Sequence, residues 1–115
     1  AHQNKEAEAE EMYRKAITIY KVVCGGGSWK AAATCYNLAY LYEKQGRYEE
    51  AERFYCEALS IYENLFGEKH PKTAFVYLTL AELYGKQNKN TQAEALYGKA
   101  RPVLAQILGE EEMEK

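Results

Sequence analysis

The sequence repeats with a period of 42 residues, and this constrains the fold more than any single residue does. Gly25, Gly67 and Gly109 share one phase of the period. Ala9, Ala51 and Ala93 share another, as do Glu10, Glu52 and Glu94, then Tyr13, Tyr55 and Tyr97, then Ala16, Ala58 and Ala100. A second set occurs twice: Leu38-Ala39 with Leu80-Ala81, Leu41-Tyr42 with Leu83-Tyr84, and Lys44-Gln45 with Lys86-Gln87. A period in the tens of residues signals stacked units, each burying its apolar face against a neighbour. Such stacks make binding surfaces rather than catalytic sites. The recurring Ala, Leu and Tyr therefore report on packing, and specificity is expected at positions that do not recur.

Composition points to helix. Every acidic residue is Glu and none is Asp. Glu tolerates helix interiors, whereas Asp competes with the backbone for hydrogen bonds. The two prolines leave long uninterrupted stretches, and 115 residues suffice for one domain with a core. No run of about 18 apolar residues occurs, so no membrane span is expected. Ala1 to Glu11 is polar and charged, so no signal peptide is expected either. A net charge of −2 argues against nucleic acid as a partner. The acidic run Glu110 to Glu114 reads as a solvated helix end or tail. The three cysteines are odd in number. Cys35 and Cys56 fall inside predicted helices and Cys24 at a helix end, which suits free thiols in a reducing cytoplasm.

The periodicity predicts helices over 5–23, 29–45, 48–66, 71–87 and 90–108. The punctuation agrees. Gly25-Gly26-Gly27 ends the first helix with residues that accept positive φ. Ser28 suits the N-cap of the second. Gly46 and its repeat-mate Asn88 stand where a left-handed residue closes a helix. His70-Pro71 opens the fourth helix, with Pro71 where its missing N–H is harmless, and Asn90 is placed to cap the fifth. Loops of two to five residues make consecutive helices antiparallel. Ala39, Ala51, Ala58, Ala81, Ala93 and Ala100 allow close approach, and Leu38, Leu41, Tyr42, Tyr55, Leu80, Leu83, Tyr84 and Tyr97 fill the space between. Most of the tyrosines are expected in this packing.

These residues resemble the tetratricopeptide repeat. The stretch Asn37-Leu38-Ala39, Tyr42, Gly46, Tyr48, Ala51, Tyr55, Ala58 fits its pattern of small and large positions. The second copy has Leu80-Ala81, Tyr84, Ala93, Tyr97 and Ala100, with Asn88 for the turn glycine and Asn90 for the following tyrosine. Those two changes are expected to loosen the turn. The usual unit is about 34 residues, and 42 adds about one helical turn to each helix. The long form with the joint Phe66-Gly67-Glu68-Lys69-His70-Pro71 is similar to the repeats of kinesin light chains and nephrocystin-3. The resemblance implies an all-α fold: a right-handed superhelical stack of antiparallel helix pairs, an α-solenoid of about five helices. The first helix carries the second-helix pattern Ala9, Tyr13, Ala16, Tyr20. Residues 5–23 are then half a repeat, 29–66 and 71–108 are full repeats, 109–115 an acidic tail, and 1–115 one domain. Half a repeat suggests a segment of a longer array, or a short array with covered ends. Pro102 inside the last helix removes a hydrogen bond and predicts a bend near Arg101-Pro102.

The resemblance also implies where binding occurs, because first helices of such repeats line the concave face. Ala33, Asn37, Tyr40 and Lys44 share one face of the helix over 29–45 by spacing. Their counterparts are Phe75, Thr79, Glu82 and Lys86, with Tyr36 and Leu78 at the border. Aromatic area, an amide and lysines suit a peptide groove. A solvated face also carries Lys and Glu, and Tyr36 and Tyr40 also suit packing on a neighbouring unit. Asn37 matches the groove asparagine that the family sets against ligand backbone. The family's carboxylate clamp needs a lysine where this chain has Ala33 and Phe75, so it is not expected. Kinesin-light-chain-like repeats bind short acidic peptides carrying an aromatic, and Lys30, Lys44, Lys72 and Lys86 would form a basic rim for one.

Gly25-Gly26-Gly27-Ser28-Trp29-Lys30 has neither the preceding strand nor the Gly-Lys-Ser/Thr ending of a phosphate loop. His2 and His70 lie far apart, and no cysteine has metal-ligand spacing. No nucleophile–base arrangement is present, so neither an enzyme nor a cofactor is expected. Two functions stay open. One is a peptide-binding adaptor or scaffold without catalysis. The other is a structural segment that self-associates through its end helices, 5–23 or 90–108.

Overall fold

The computed structural model describes residues 2–25 and 27–114, with side chains described over 5–25 and 27–109. Gly26, part of the expected first joint, lies outside the described residues. Five helices follow in order: α1 His2–Cys24, α2 Trp29–Lys44, α3 Tyr48–Phe66, α4 Pro71–Lys86 and α5 Asn90–Glu114. The described residues contain no strand.

The helix ends show why the chain folds back where it does. After α2, Gly46 takes φ 78°. Its N–H bonds the Glu43 carbonyl at 3.0 Å and that of Arg47 bonds the Tyr42 carbonyl at 2.9 Å. This is a Schellman closure, in which a left-handed residue lets orphan carbonyls find donors. After α4, Asn88 takes φ 62° and the same two bonds recur, Asn88 to Gly85 at 3.1 Å and Lys89 to Tyr84 at 2.8 Å. Asn88 therefore does not loosen its turn, because asparagine reaches the left-handed region and the closing bonds belong to the backbone. Gly25 (φ 68°) and Gly67 (φ 85°) end α1 and α3 as expected.

Side chains cap the starts of α2 and α4. Ser28 Oγ accepts from the Lys30 N–H at 3.1 Å, and His70 Nδ1 accepts from the Lys72 N–H at 3.1 Å. Asn90 is not a cap. The Lys89 carbonyl accepts the first helical bond, from Ala93, so Asn90 is already the first helical residue. The Schellman turn leaves one residue between closure and restart, and Lys89 occupies it. Helix α5 passes through Pro102 and on to Glu114 instead of ending near 108. Gly109 stays helical there, and the residues after it are mostly Glu, a good helix former.

The chain divides into two compact units, Ala1–Leu65 and Phe66–Lys115. In the first, Ala31, Ala32, Cys35, Leu38, Ala39, Tyr42, Ala51, Tyr55 and Ala58 are fully buried. The alanines let the helices approach, and the tyrosine rings occupy the space that closeness leaves. Tyr36 sets its ring edge-on to Tyr55 at 5.2 Å, and Tyr42 meets Phe54 at 5.8 Å. A buried tyrosine removes about 150–250 Å² from water, a gain of about 4–6 kcal/mol before entropy is counted. Burial also requires that the hydroxyl find a partner. Tyr55 donates to Glu43 Oε1 at 2.7 Å, and Tyr42 donates to Glu10 Oε2 at 2.8 Å. Burial and then the Glu43 carboxylate hold the Tyr55 phenol well above its ordinary titration range. In the second unit, Thr73, Ala74, Val76, Tyr77, Leu80, Ala81 and Leu83 of α4 are buried, as are Ala93, Ala100 and Val103 of α5.

Candidate functional site

The face anticipated on α2 is present in the first unit. Asn37 and Lys44 are exposed, Ala33 is half-buried, and Tyr40 is 53 % exposed. Tyr40 is the one exposed tyrosine among the described residues; the others are buried or half-buried. Lys44 Nζ lies 5.5 Å from the centre of its ring, a cation–aromatic pair in solvent. Tyr36 differs from the rest of the set. It is half-buried with its ring against Tyr55, so much of its surface serves the α2–α3 packing.

The corresponding face on α4 belongs to the second unit. Phe75 is 53 % exposed, Glu82 and Lys86 are exposed, and Thr79 and Leu78 are half-buried. The Thr79 hydroxyl donates to the Phe75 carbonyl one turn earlier, at 3.0 Å. It therefore offers lone pairs rather than its proton to a ligand, whereas the Asn37 amide carries both donors and an acceptor. Lys30 and Lys72 are exposed at the starts of α2 and α4.

Three polar features escaped the repeat pattern. The first is a cluster in the first unit. The Arg14 guanidinium donates to the Tyr42 hydroxyl and to Glu10 Oε2, the latter at 3.2 Å. Arg47 stacks 4.4 Å over the Tyr42 ring and pairs with Glu50 and Glu10. The Tyr42 hydrogen bond, outweighing burial, holds the Glu10 carboxyl below the usual carboxylate range. The cleft beside the cluster, about 530 Å³, is lined by Glu6, Ala7, Glu10, Gln45 and Arg47. Glu10 recurs at the period, but Arg14 and Arg47 do not, so nothing in the recurrence joined them.

The second and third features are a matched pair of clefts. One, of about 400 Å³, contains Lys21, Gly25, Glu57, Ser60, Ile61 and Asn64. The other, of about 280 Å³, contains Glu68, Lys69, Lys99, Pro102, Val103 and Gln106. Residues 57, 60, 61 and 64 stand one period before 99, 102, 103 and 106. Each cleft holds an ion pair, and the pairs have opposite polarity. In the first unit Lys21 reaches Glu57 of α3; in the second, Glu68 reaches Lys99 of α5 at 3.8 Å. The sign reversal hides the correspondence from a search for recurring residues.

The described residues contain no group of His, Cys or Glu able to hold a metal. No described helix is long and apolar enough to cross a membrane. Cys24 and Cys56 are exposed, and neither is in a disulfide. Cys35 is buried, and burial pushes its thiol up to about 12.

Comparison with known proteins agrees with the geometry. The profile described as "Tetratricopeptide repeat" matches residues 1–64 and 30–106. The crystal structure of BtubC (BKLC) from P. vanneervenii is similar, with 30% sequence identity and a TM-score of 0.80. The similarity covers 87% of this chain and 39% of that one, so the chain spans well under half of BtubC. No curated protein matches the sequence.

Proposed function

Because the chain belongs to the tetratricopeptide repeat family, whose members are generally non-catalytic protein-interaction modules, we propose that it is an adaptor that binds a peptide through the exposed faces of α2 and α4. The observation that carries this reading is the exposed aromatic on each face. Tyr40 and Phe75 each leave 53 % of their surface in water. A face that served only as solvated surface would gain nothing from a large ring there, whereas peptide-binding surfaces use such rings as anchors. Asn37 supplies a side-chain amide suited to ligand backbone. Lys44 and Lys86 end the two faces and, with Lys30 and Lys72, favour an acidic ligand that carries an aromatic of its own. That preference rests on the resemblance to kinesin light chain repeats. We place the protein in the cytoplasm, a reading supported by three cysteines with no disulfide among them.

The test is fluorescence polarisation with short acidic peptides carrying one tryptophan or tyrosine, with basic and aromatic-free peptides as controls. Acidic peptides should bind with an affinity that falls as salt rises. Asn37→Ala and Tyr40→Ala should each weaken binding, and Lys44→Glu with Lys86→Glu should abolish the preference for acidic peptides. Binding unchanged by the double lysine reversal would sink the acidic-ligand reading. Binding unchanged by Asn37→Ala and Tyr40→Ala would remove the α2 face from the site.

A further inference from the structure

Helix α5 runs through Pro102, and the cost falls on one backbone group. Proline has no N–H, so the carbonyl four residues earlier, that of Gly98, lacks the donor that closes it in a regular helix. This carbonyl is not sealed in the core. Gly98 is exposed and, with Pro102, lines the cleft of about 280 Å³ on the second unit. Having no side chain, Gly98 lines it with backbone. A Cβ added at Gly98 would meet no atom within 4 Å, and its φ is not positive. Neither packing nor φ demands a glycine there. The residue type that leaves a carbonyl uncovered thus stands where that carbonyl is short of its helical donor.

The other walls of the cleft are charged. Lys99 Nζ lies 3.8 Å from Glu68 Oε1 and 5.4 Å from the centre of the Tyr77 ring. The ion pair is long and both side chains are more than half exposed, so it exchanges readily. Lys69 adds a second ammonium and Gln106 an amide. Two ammoniums against one carboxylate favour an anion, and Glu68 is the chain's own carboxylate resting on one of them. The cleft therefore sets an acceptor for an N–H beside donors for a carboxylate. It is smaller than the roughly 300–1,000 Å³ of pockets that enclose a whole small molecule, a size suited to one residue of a peptide. The matched cleft of the first unit lacks both halves of the arrangement. Ser60 stands in place of Pro102 and keeps its N–H, and a single lysine, Lys21, meets Glu57.

From this geometry we propose that the cleft binds an acidic residue of an extended peptide. The residue's backbone N–H bonds the Gly98 carbonyl, and its carboxylate displaces Glu68 from Lys99 and is shared with Lys69. The site has no residue in common with the α2 and α4 faces and does not depend on what they bind.

The probe is acetyl-Ala-Glu-Ala-amide, which carries no aromatic, so failure of an aromatic-dependent site on α2 and α4 leaves its result intact. Titration of the full chain is followed by NMR. The Gly98 carbonyl signal should move saturably, and the amides lining the first cleft should not. Pro102→Ala restores the missing donor. It should raise Tm yet weaken binding about fivefold, the scale of one backbone hydrogen bond. The same peptide N-methylated at its glutamate should lose a similar factor on the parent chain and nothing further on Pro102→Ala. Glu68→Gln removes the competing carboxylate and should strengthen binding about threefold, while Lys99→Gln should weaken it by a similar factor. Binding that falls in Pro102→Ala, without further loss on N-methylation, supports the proposal. Absence of a saturable shift in both the parent and Glu68→Gln overturns it, as does binding indifferent to Pro102→Ala. A preference for acetyl-Ala-Lys-Ala-amide that Glu68→Gln removes would overturn it in favour of a cationic ligand. Tighter binding of acetyl-Ala-Ala-Ala with a free terminal carboxylate would overturn it in favour of a chain end.

Discussion

Tyr55 and Tyr97 occupy the same phase of the repeat, yet only Tyr55 has a carboxylate waiting for its hydroxyl. Glu43 accepts from Tyr55 at 2.7 Å. One period later the residue in the Glu43 position is Gly85, which has no side chain to offer. Removing one oxygen at each site therefore isolates the hydrogen bond from the ring. In Tyr55→Phe the fully buried ring and its edge contact with Tyr36 remain. A hydrogen bond to a charged acceptor contributes about 1.5–3 kcal/mol net. Glu43 is half-buried, so water can partly replace the phenol, and the lower figure applies, about 1.5 kcal/mol. For a chain of this size that lowers Tm by about 6 °C. Tyr97→Phe should cost less than about 0.5 kcal/mol. Thermal and urea unfolding of both variants measures the contrast. A double-mutant cycle of Tyr55→Phe with Glu43→Ala should show coupling of about 1 kcal/mol or more. Equal losses in the two variants, or coupling within about 0.3 kcal/mol of zero, would refute the assignment.

Gly46→Ala should destabilise by about 1 kcal/mol in urea unfolding: the backbone holds φ 78°, costly for a side chain, while no atom lies within 4 Å of the added carbon. Gly46→Asn, which copies Asn88, should cost less. Thr73→Val should raise stability by about 1 kcal/mol, because Thr73 is fully buried with no partner for Oγ1 and its repeat-mate Ala31 is equally buried without a hydroxyl. Glu10 is held below the ordinary carboxylate range in the folded chain, so its contribution is complete above the unfolded value of about 4.3 and is lost as pH falls through the folded one. Stability measured from about pH 5 to pH 3 should thus fall less steeply in Glu10→Gln than in the parent; equal slopes would place the acid sensitivity elsewhere.

The helices were legible because caps and glycines act locally. Ser28, His70, Gly46 and Asn88 each do what their own backbone chemistry dictates, whatever surrounds them. Asn90 was misread because the decisive fact lay outside the residue: the Schellman closure after α4 gives the cap position to Lys89. The extension of α5 was missed because Gly109 shares the phase of two helix-ending glycines, and glycine permits positive φ without requiring it. Positions of the candidate α2 face were legible from helix spacing, but the division of labour within it was not. Tyr36 and Tyr40 are four residues apart and identical in chemistry, and only the location of Tyr55 makes one a packing residue and leaves the other in water. Recurrence exposes what units share, so contacts that need a non-recurring residue, such as that of Arg14 with Tyr42, fell outside its reach.

The reversed ion pairs bear on how such a gene can change length. Tandem coding repeats are prone to slip by one unit during replication or recombination. Deleting residues 27–68, one whole period, would keep every helix in phase and every packing position filled. It would also remove Glu68 and leave Lys99 in the place of Glu57, with Lys21 as its neighbour, two like charges in a cleft that now holds one of each. Hydrophobic packing alone would accept the shortened product; the charge pattern opposes it. The reversed pairs thus make the two clefts non-interchangeable, by no more than the small cost of one solvent-facing charge contact.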